Sequence, residues 1–222
     1  SNPKIQLGFN RRYDPGHNNL KKQLLKGKIG RLEKIIITSR DPAPPSIKYL
    51  KKSGGIFRDM MIHDFDLTRF ILQKDMVVEV SAYGSVNFDK NCILHNDFDT
   101  AMVMMKTKNN VLININNSRR SVYGYDQRIE LFGSKGMLIS DNQTPTSVKM
   151  FTKKNTNLRD PIYNFFIERY NQAYIDQLND FIDSIQKNSK VKTTYEDGRK
   201  ALLLANAAIE SSKNKRKIKV NY

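Results

Sequence analysis

The sequence predicts an α+β domain built on an open-faced, mainly antiparallel sheet that helices cover on one face. Strand-like segments follow one another through the middle of the chain, and helical patterns flank this run on both sides. The connections Lys108–Asn110 and Gly133–Gly136 between successive segments are too short for the crossovers that parallel neighbours need. Residues 111–116 alternate between apolar and polar side chains, which is typical of a sheet with one face on a core and the other open.

The first 45 residues are expected to form two strands, one helix and a loop. Lys4–Phe9 alternates like a short strand, although no earlier segment is there to pair with it. Asp14 and Pro15 mark the start of a helix. An isoleucine-rich strand is expected over Leu32–Arg40, and the prolines of Asp41–Pro45 then require a loop. The buried side of the helix is expected to consist of Leu20, Leu24 and Leu25.

The stretch from Gly54 to Phe70 is the one around which the rest of the chain is organised. Two glycines precede a helical pattern that is expected to run to about Gln73. Asp59 lies four residues before His63, and Asp66 three residues after it, so the three side chains would share one helical face. Two carboxylates flanking an imidazole can transfer a proton and hold one histidine tautomer. A local hydrogen bond within a helix explains the same spacing, and residue chemistry alone leaves both interpretations open.

Five strands, two helices and a short final edge strand are expected in the remainder of the chain. The strands are expected at Val77–Val86, Thr100–Thr107, Val111–Asn116, Gln127–Phe132 and Met137–Ser140. A long helical period covers 162–186, and its buried residues are expected to be Phe166, Tyr170, Ala173, Tyr174, Leu178, Phe181, Ile182 and Ile185. Thr194 and Asp197 resemble a capping box that opens the last helix, and residues 218–220 are expected to close as an edge strand.

The formal charge of +16 at pH 7 makes a basic nucleic-acid-binding domain one alternative function. The lysines are scattered along the chain, and the densest basic run is Lys213–Lys217. Aromatic residues are not interleaved with the lysines as a base-stacking platform requires. These patterns favour a general compositional bias, and we expect no nucleic-acid partner.

The sequence also limits the cofactors and the compartment to be expected. None of the 11 glycines belongs to a Gly-x-Gly-x-x-Gly or Walker motif, so these 222 residues are not expected to hold a dinucleotide by the usual phosphate turn. The three histidines are far apart in sequence, and we expect no metal site. Cys92 is the single cysteine and fits a reducing compartment, so a cytoplasmic protein without a membrane span is expected.

Five sequence motifs resemble inositol 2-dehydrogenases of the glucose–fructose oxidoreductase/inositol dehydrogenase family. They are GFNRRYDP at 8–15, TSRDPAPP at 38–45, the segment 54–66, YGYD at 123–126 and EDGRKAL at 196–202. The resemblance extends from Gly8 to the C-terminus and is most specific between Gly54 and Asp66. It implies an NAD-dependent oxidoreductase that transfers a hydride from an inositol carbon to NAD.

The resemblance also implies a division into domains. Such enzymes have an N-terminal Rossmann domain, which carries the dinucleotide loop and an active-site lysine, and a C-terminal domain built on an open-faced sheet. Residues 1–9 are therefore expected to be the remnant of the last Rossmann strand, and residues 10–222 the substrate-binding and oligomerisation domain. NAD would be held mainly by the Rossmann domain, and this chain by itself is expected to be inactive.

The resemblance assigns roles to seven residues. His63 matches the active-site histidine and Asp59 its partner acid, so a proton relay through these two is implied. Asp66 is expected to orient His63. Contacts with a polyol substrate are expected from Arg11, Asp41, Tyr123 and Tyr125.

A homodimer or homotetramer formed through the sheet face is also expected. Four helical segments can cover only one face of a sheet with five or more strands, and the family forms such oligomers. A non-catalytic polyol-binding or assembly module remains an alternative from another functional class. An upstream Rossmann domain would distinguish the enzyme from that module.

Overall fold

The computed structural model describes residues 3–222, and most of them belong to helices and strands. The helices are α1 Pro15–Leu25, α2 Ile47–Ser53, α3 Ile56–Asp59, α4 Ile62–Leu72, α5 Asn91–Leu94, α6 Phe166–Arg169, α7 Asn171–Gln186 and α8 Tyr195–Asn214. The strands are β1 Leu32–Arg40, β2 Val77–Ser85, β3 Thr100–Thr107, β4 Leu112–Ser118, β5 Asp126–Gly133, β6 Gly136–Ser140, β7 Lys149–Met150, β8 Leu158–Arg159 and β9 Ile218–Lys219. A 3₁₀ turn over Asn10–Tyr13 precedes α1.

Seven of the strands form one sheet in the order β6-β5-β1-β4-β3-β2-β9. Within the described residues, β1 and β4 are the one parallel pair, and the other neighbours are antiparallel. The hairpins β3–β4 and β5–β6 turn at the two short connections that predicted them. The predicted mainly antiparallel α+β fold is therefore confirmed.

One face of the sheet is covered and the other is open. On β1, Ile35 and Ile37 are almost completely buried, whereas Ile36 between them is 38% exposed. The buried face packs on α4 and α8 in a single apolar core. The last helix begins with the predicted capping box, in which the Thr194 and Asp197 side chains each bond to the other residue's backbone N–H.

Several predictions about the N-terminal part were wrong. Residues 4–9 belong to no strand, because no neighbouring strand supplies the hydrogen bonds that a ladder needs. Leu7 instead accepts a hydrogen bond from Gln177 and donates one to Thr193. Leu25 is 60% exposed at the end of α1. The short helix α2 was not predicted.

The helical segment before residue 186 starts later and is less buried than its period predicted. Residues 162–165 are not helical, and α6 and α7 follow as separate helices. Tyr170 and Ala173 are buried, but α7 packs against the 3₁₀ turn rather than along the sheet. The apolar residues farther along α7 therefore remain between 39% and 59% exposed, namely Tyr174, Leu178, Ile182 and Ile185.

The length and polarity of the helices bear on membrane insertion. In the described range 3–222, no helix is both long and apolar enough to cross a bilayer.

Candidate active site

A cavity of about 610 Å³ opens where the loop after β1 meets α3, α4, α6 and α7. Five of the seven predicted site residues line it, namely Arg11, Asp41, Asp59, His63 and Tyr125. They come from four regions of the chain that are distant in sequence, because Asp59 and His63 are only four residues apart. The fold therefore brings most of the candidate site together, and two predicted residues lie elsewhere.

Arg11 is held from behind by a buried acid that the sequence did not identify. Its Nη1 atom pairs with Oδ1 of Asp64 and donates a 2.9 Å hydrogen bond to Oγ of Ser39. Asp64 is completely buried and Arg11 is 5% exposed. Burial lowers the pKa of Arg11, but the Asp64 carboxylate, together with the smaller effects of Tyr170, Tyr125 and Asp41, outweighs it, so the pKa lies above its ordinary value. The guanidinium therefore stays charged at the cavity wall.

His63 presents a neutral imidazole to the cavity. Burial, and secondarily the positive charge of Arg11, lowers the pKa of His63 to about 3. Its ring packs edge-to-face on Phe9, with the ring centroids 5.8 Å apart. The buried Nδ1 atom has no hydrogen-bond partner in residues 3–222. A neutral imidazole with a free nitrogen can exchange a proton with a bound hydroxyl group.

The predicted common helical face of Asp59, His63 and Asp66 is absent. A break at Met60 and Met61 separates α3, which ends at Asp59, from α4, which contains His63. No hydrogen bond joins Asp59 to His63 in the part of the chain that the structure describes. The periodicity missed this break because apolar residues continue at helical spacing on both sides of it.

Asp59 is instead fixed by two other side chains. Its Oδ2 atom accepts a 3.0 Å hydrogen bond from Nη1 of Arg119, and its Oδ1 atom accepts one from the Tyr49 hydroxyl. The hydrogen bond from Tyr49 to Asp59 is the main reason that the pKa of Tyr49 rises to about 12. Both Arg119 and Tyr49 line the cavity.

Arg119 is a second functional residue that was not predicted from the sequence. It is 1% exposed and bridges Asp59 to Asp97, to which its Nη2 atom donates over 3.2 Å. Asp97 is fixed in turn by the backbone N–H groups of Ile56 and Phe98, at 2.7 and 2.8 Å. A signal for Arg119 existed in the sequence, because it continues the inward-facing positions 113, 115 and 117 of β4.

Asp41 and Tyr125 complete the polar wall. Burial raises the pKa of Asp41 to about 6, although the charges of Arg11 and Arg119 oppose this shift. Tyr125 is 6% exposed, and burial raises its pKa as well. At pH 7 the wall thus offers a carboxylate acceptor beside a neutral phenol.

Tyr123 and Asp66 lie outside the residues that line the cavity. Tyr123 is 50% exposed, and its hydroxyl donates a 2.6 Å hydrogen bond to Asp126. Asp66 accepts a 2.8 Å hydrogen bond from Nε of Arg12. The predicted orientation of His63 by Asp66 is therefore wrong, because the Asp66 carboxylate faces a different charged partner.

The cavity suits a neutral ligand with many hydroxyl groups. Arg11 supplies donors, Asp41 supplies acceptors, and His63 supplies a group that can take up a proton. Asn10 adds a buried side-chain Nδ2 atom that has no partner among residues 3–222. Within the same residues, no group of three or more His, Cys, Asp or Glu side chains is arranged to hold a metal ion.

Comparison with known proteins assigns this chain to a family. A family model described as "Oxidoreductase family, C-terminal alpha/beta domain" matches residues 21–220. The inositol 2-dehydrogenase of Rhizobium meliloti is 43% identical over 217 residues, which cover 98% of this chain and 65% of that protein.

Solved structures agree with the family match. A myo-inositol dehydrogenase from Corynebacterium glutamicum has a TM-score of 0.94 and 45% identity, and the match covers 98% of this chain and 65% of that one. A scyllo-inositol dehydrogenase from Lactobacillus casei, solved with NAD(H) and scyllo-inositol, has a TM-score of 0.88 and 29% identity over 98% and 65% of the two chains. The chain thus spans just under two thirds of the relatives that it matches. We conclude that it belongs to this oxidoreductase family and contains the family's C-terminal α/β domain.

Proposed function

We propose that this chain is the polyol-binding part of an NAD-dependent inositol 2-dehydrogenase. The observation that carries the proposal is the cavity in which a charged Arg11, a carboxylate at Asp41 and a neutral His63 meet. A cyclitol offers only hydroxyl groups for recognition, and such a site needs paired donors and acceptors. The relatives named inositol 2-dehydrogenase support the same substrate class.

The proposed reaction converts a secondary alcohol to a ketone. The carbon-bound hydrogen leaves as a hydride and the hydroxyl hydrogen as a proton, so that polyol and NAD⁺ give ketone, NADH and H⁺. NAD supplies the hydride acceptor when it is bound. In this chain Arg11 donates hydrogen bonds to the substrate hydroxyls, Asp41 and Tyr125 fix their positions, and His63 takes up the departing proton.

Asp59 is proposed as the partner acid of His63. Its contacts with Arg119 and Tyr49 keep the carboxylate in one place beside the cavity. A carboxylate fixed there stabilises the positive charge that His63 gains when it accepts a proton. Proton transfer between the two requires a rearrangement of the Asp59 contacts or a bridging hydroxyl of the substrate.

We propose that NAD is held mainly by a Rossmann domain outside these 222 residues. The sequence has no glycine-rich phosphate turn of its own. In this proposal residues 1–9 end that domain and residues 10–222 bind the substrate and form the oligomer. The free Cys92 fits the reducing cytoplasm.

The open face of the sheet is proposed to pair with a second copy of the chain. Its exposed apolar residues include Ile36, Tyr83, Met102, Met104, Leu112 and Ile139. Large apolar patches are rarely left uncovered on monomers. A two-fold pairing of identical sheet faces is the simplest closed arrangement and gives a dimer, from which a tetramer can be built.

Binding of a cyclitol to the 222-residue chain tests the substrate assignment. We expect saturation-transfer NMR to detect myo-inositol and scyllo-inositol on the wild-type chain and to lose both signals in Arg11→Met. Arg12→Met is the matched control, because Arg12 is the adjacent arginine and does not line the cavity. Equal signals from the wild type and Arg11→Met would contradict the proposed site. Binding without NADH formation in the intact enzyme would favour the non-catalytic polyol-binding module.

A further inference from the structure

Two adjacent arginines form two adjacent ion pairs, but only one pair faces the cavity. Arg11 pairs with Asp64 and lines the cavity, whereas Arg12 pairs with Asp66 outside it. Both acids belong to α4 and are at most 1% exposed. Arg12 also pairs with Asp197 at 3.0 Å, so the two pairs share a buried acid on α4 but differ in their other partners and in whether the arginine faces the cavity.

The Asp64 carboxylate is anchored to the sheet by two further side chains. Its Oδ1 atom accepts a 2.6 Å hydrogen bond from Oγ of Ser39 on β1. Its Oδ2 atom accepts a 2.8 Å hydrogen bond from Nδ2 of Asn117 on the neighbouring strand β4. Both oxygens of a completely buried carboxylate are therefore held by rigid elements of the core.

Arg11 uses only one corner of its guanidinium for this anchor. Within residues 3–222, its hydrogen bonds to Ser39 and Asp64 both start from Nη1. A guanidinium is planar and has five N–H donors in a fixed arrangement, so fixing one corner sets the direction of the others. The Tyr170 ring, whose centroid lies 5.9 Å from Cζ of Arg11, limits the remaining freedom.

We propose that Asp64 is a positioning residue for substrate binding that acts entirely through Arg11. Its carboxylate, held by Ser39 and Asn117, aims the remaining guanidinium donors of Arg11 at the hydroxyl groups of a polyol in the cavity. Asp64 itself is fully enclosed and touches no substrate. This inference rests on the proposed polyol-binding function and adds the residue that makes Arg11 selective for one hydroxyl geometry.

The orientation of Arg11 can be tested without any ligand. In NMR spectra of the ¹⁵N-labelled chain, we expect the wild type to show a slowly exchanging Arg11 Nε–Hε signal and restricted guanidinium rotation. Asp64→Asn and the milder Ser39→Ala should broaden or lose these features. Asp66→Asn is the matched control, because it neutralises the neighbouring acid and should leave the Arg11 signals unchanged. Arg11 signals that are equally restrained in Asp64→Asn and the wild type would overturn the inference, whether or not inositol binds.

Kinetics of the intact enzyme then separate positioning from a purely structural role. We expect Asp64→Asn to raise KM for myo-inositol by about 10- to 100-fold, with a smaller change in kcat, because a misplaced binding group weakens substrate capture. Asp66→Asn should lower stability comparably without changing KM. An unchanged KM in Asp64→Asn would refute the positioning role. A wild-type enzyme that forms no NADH from inositol would instead refute the proposed function.

Discussion

Arg119 donates a 3.0 Å hydrogen bond to Asp59 from a side chain that is almost completely buried. The same guanidinium also donates a hydrogen bond to Asp97, so Arg119 forms ion pairs with two acids from different segments. Removing one partner from a buried ion pair typically destabilises a protein by about 3–5 kcal/mol, because a charge is left unpaired. The contact of Arg119 with Asp59 therefore links the cavity wall to the stability of the domain.

We predict that Arg119→Met lowers the free energy of unfolding by about 3–5 kcal/mol. Urea denaturation followed by circular dichroism measures this change. Arg58→Met provides the control, since Arg58 is exposed and bonds to Asn206. We expect that variant to change the same free energy by less than about 1 kcal/mol. Equal effects of the two substitutions would show that Arg119 does not hold the acids together.

The pH dependence of substrate capture should report the ionisation of Asp41. Burial raises its pKa to about 6, so the carboxylate predominates above that pH and accepts hydrogen bonds from a polyol. We predict that kcat/KM of the intact enzyme for myo-inositol rises from pH 5 to pH 7 with an apparent pKa near 6. His63 has a pKa of about 3, so it stays neutral between pH 5 and pH 7 and does not contribute to this change in kcat/KM.

Asp41→Asn supplies the matching control for the pH profile. Its amide cannot ionise, so kcat/KM should become flat between pH 5 and pH 7 and stay below the wild-type value at pH 7. An Asp41→Asn profile that keeps the wild-type step near pH 6 would assign the titration to another group.

His17 should make the domain sensitive to acid. It is 2% exposed, and burial lowers its pKa to about 4 although Asp14 lies close to it. In the unfolded chain His17 takes up a proton near pH 6.5, whereas in the folded protein it does not. The contribution of neutral His17 to the free energy of unfolding is therefore fully present above pH 6.5 and is lost as the pH falls towards 4.

We predict that the stability difference between the wild type and His17→Gln narrows by up to about 3 kcal/mol between pH 7 and pH 4. Urea denaturation at each pH measures both proteins, and contributions of other titrating groups cancel in the difference. Parallel stability curves throughout this range would show that His17 titrates alike in the folded and unfolded states.

Association through the open sheet face is predicted to persist in the 222-residue chain. Multi-angle light scattering at tens of micromolar should report a dimer or tetramer rather than the 25.7 kDa monomer. Met104→Glu places a charge on a side chain that is 48% exposed on this face and should dissociate the oligomer. Leu25→Glu, at an exposed position in α1, should leave it intact. A wild-type monomer at these concentrations would contradict the proposed interface.

The sheet could be predicted from the sequence because its signals are local. Short hairpin connections and the alternation over 111–116 need no knowledge of the rest of the chain. The break after Asp59 could not be predicted in this way, because the helical period continues across it. The exposed side of α7 was missed for a related reason: periodicity identifies an apolar face but not the surface against which it packs.

The candidate site was predictable only in part. Resemblance, rather than spacing, brought Arg11, Asp41 and Tyr125 together with His63. Asp64 went unrecognised because its arginine partner lies 53 residues away, and nothing local distinguishes it from the neighbouring Asp66. Such pairings depend on tertiary structure, whereas Arg119 could have been found from the inward-facing positions of β4.

The most direct test of the claim that polyol is oxidised in this cavity is the rate of NADH formation from myo-inositol. This rate is compared between the intact wild-type enzyme and its His63→Ala variant. We predict that the wild type forms NADH and that His63→Ala lowers kcat by about 10²- to 10⁴-fold, the usual effect of removing a positioned proton-transfer group. His95→Ala, which alters a histidine outside the cavity lining, should retain the wild-type rate. An unchanged kcat in His63→Ala would contradict the assignment of this cavity as the site of polyol oxidation.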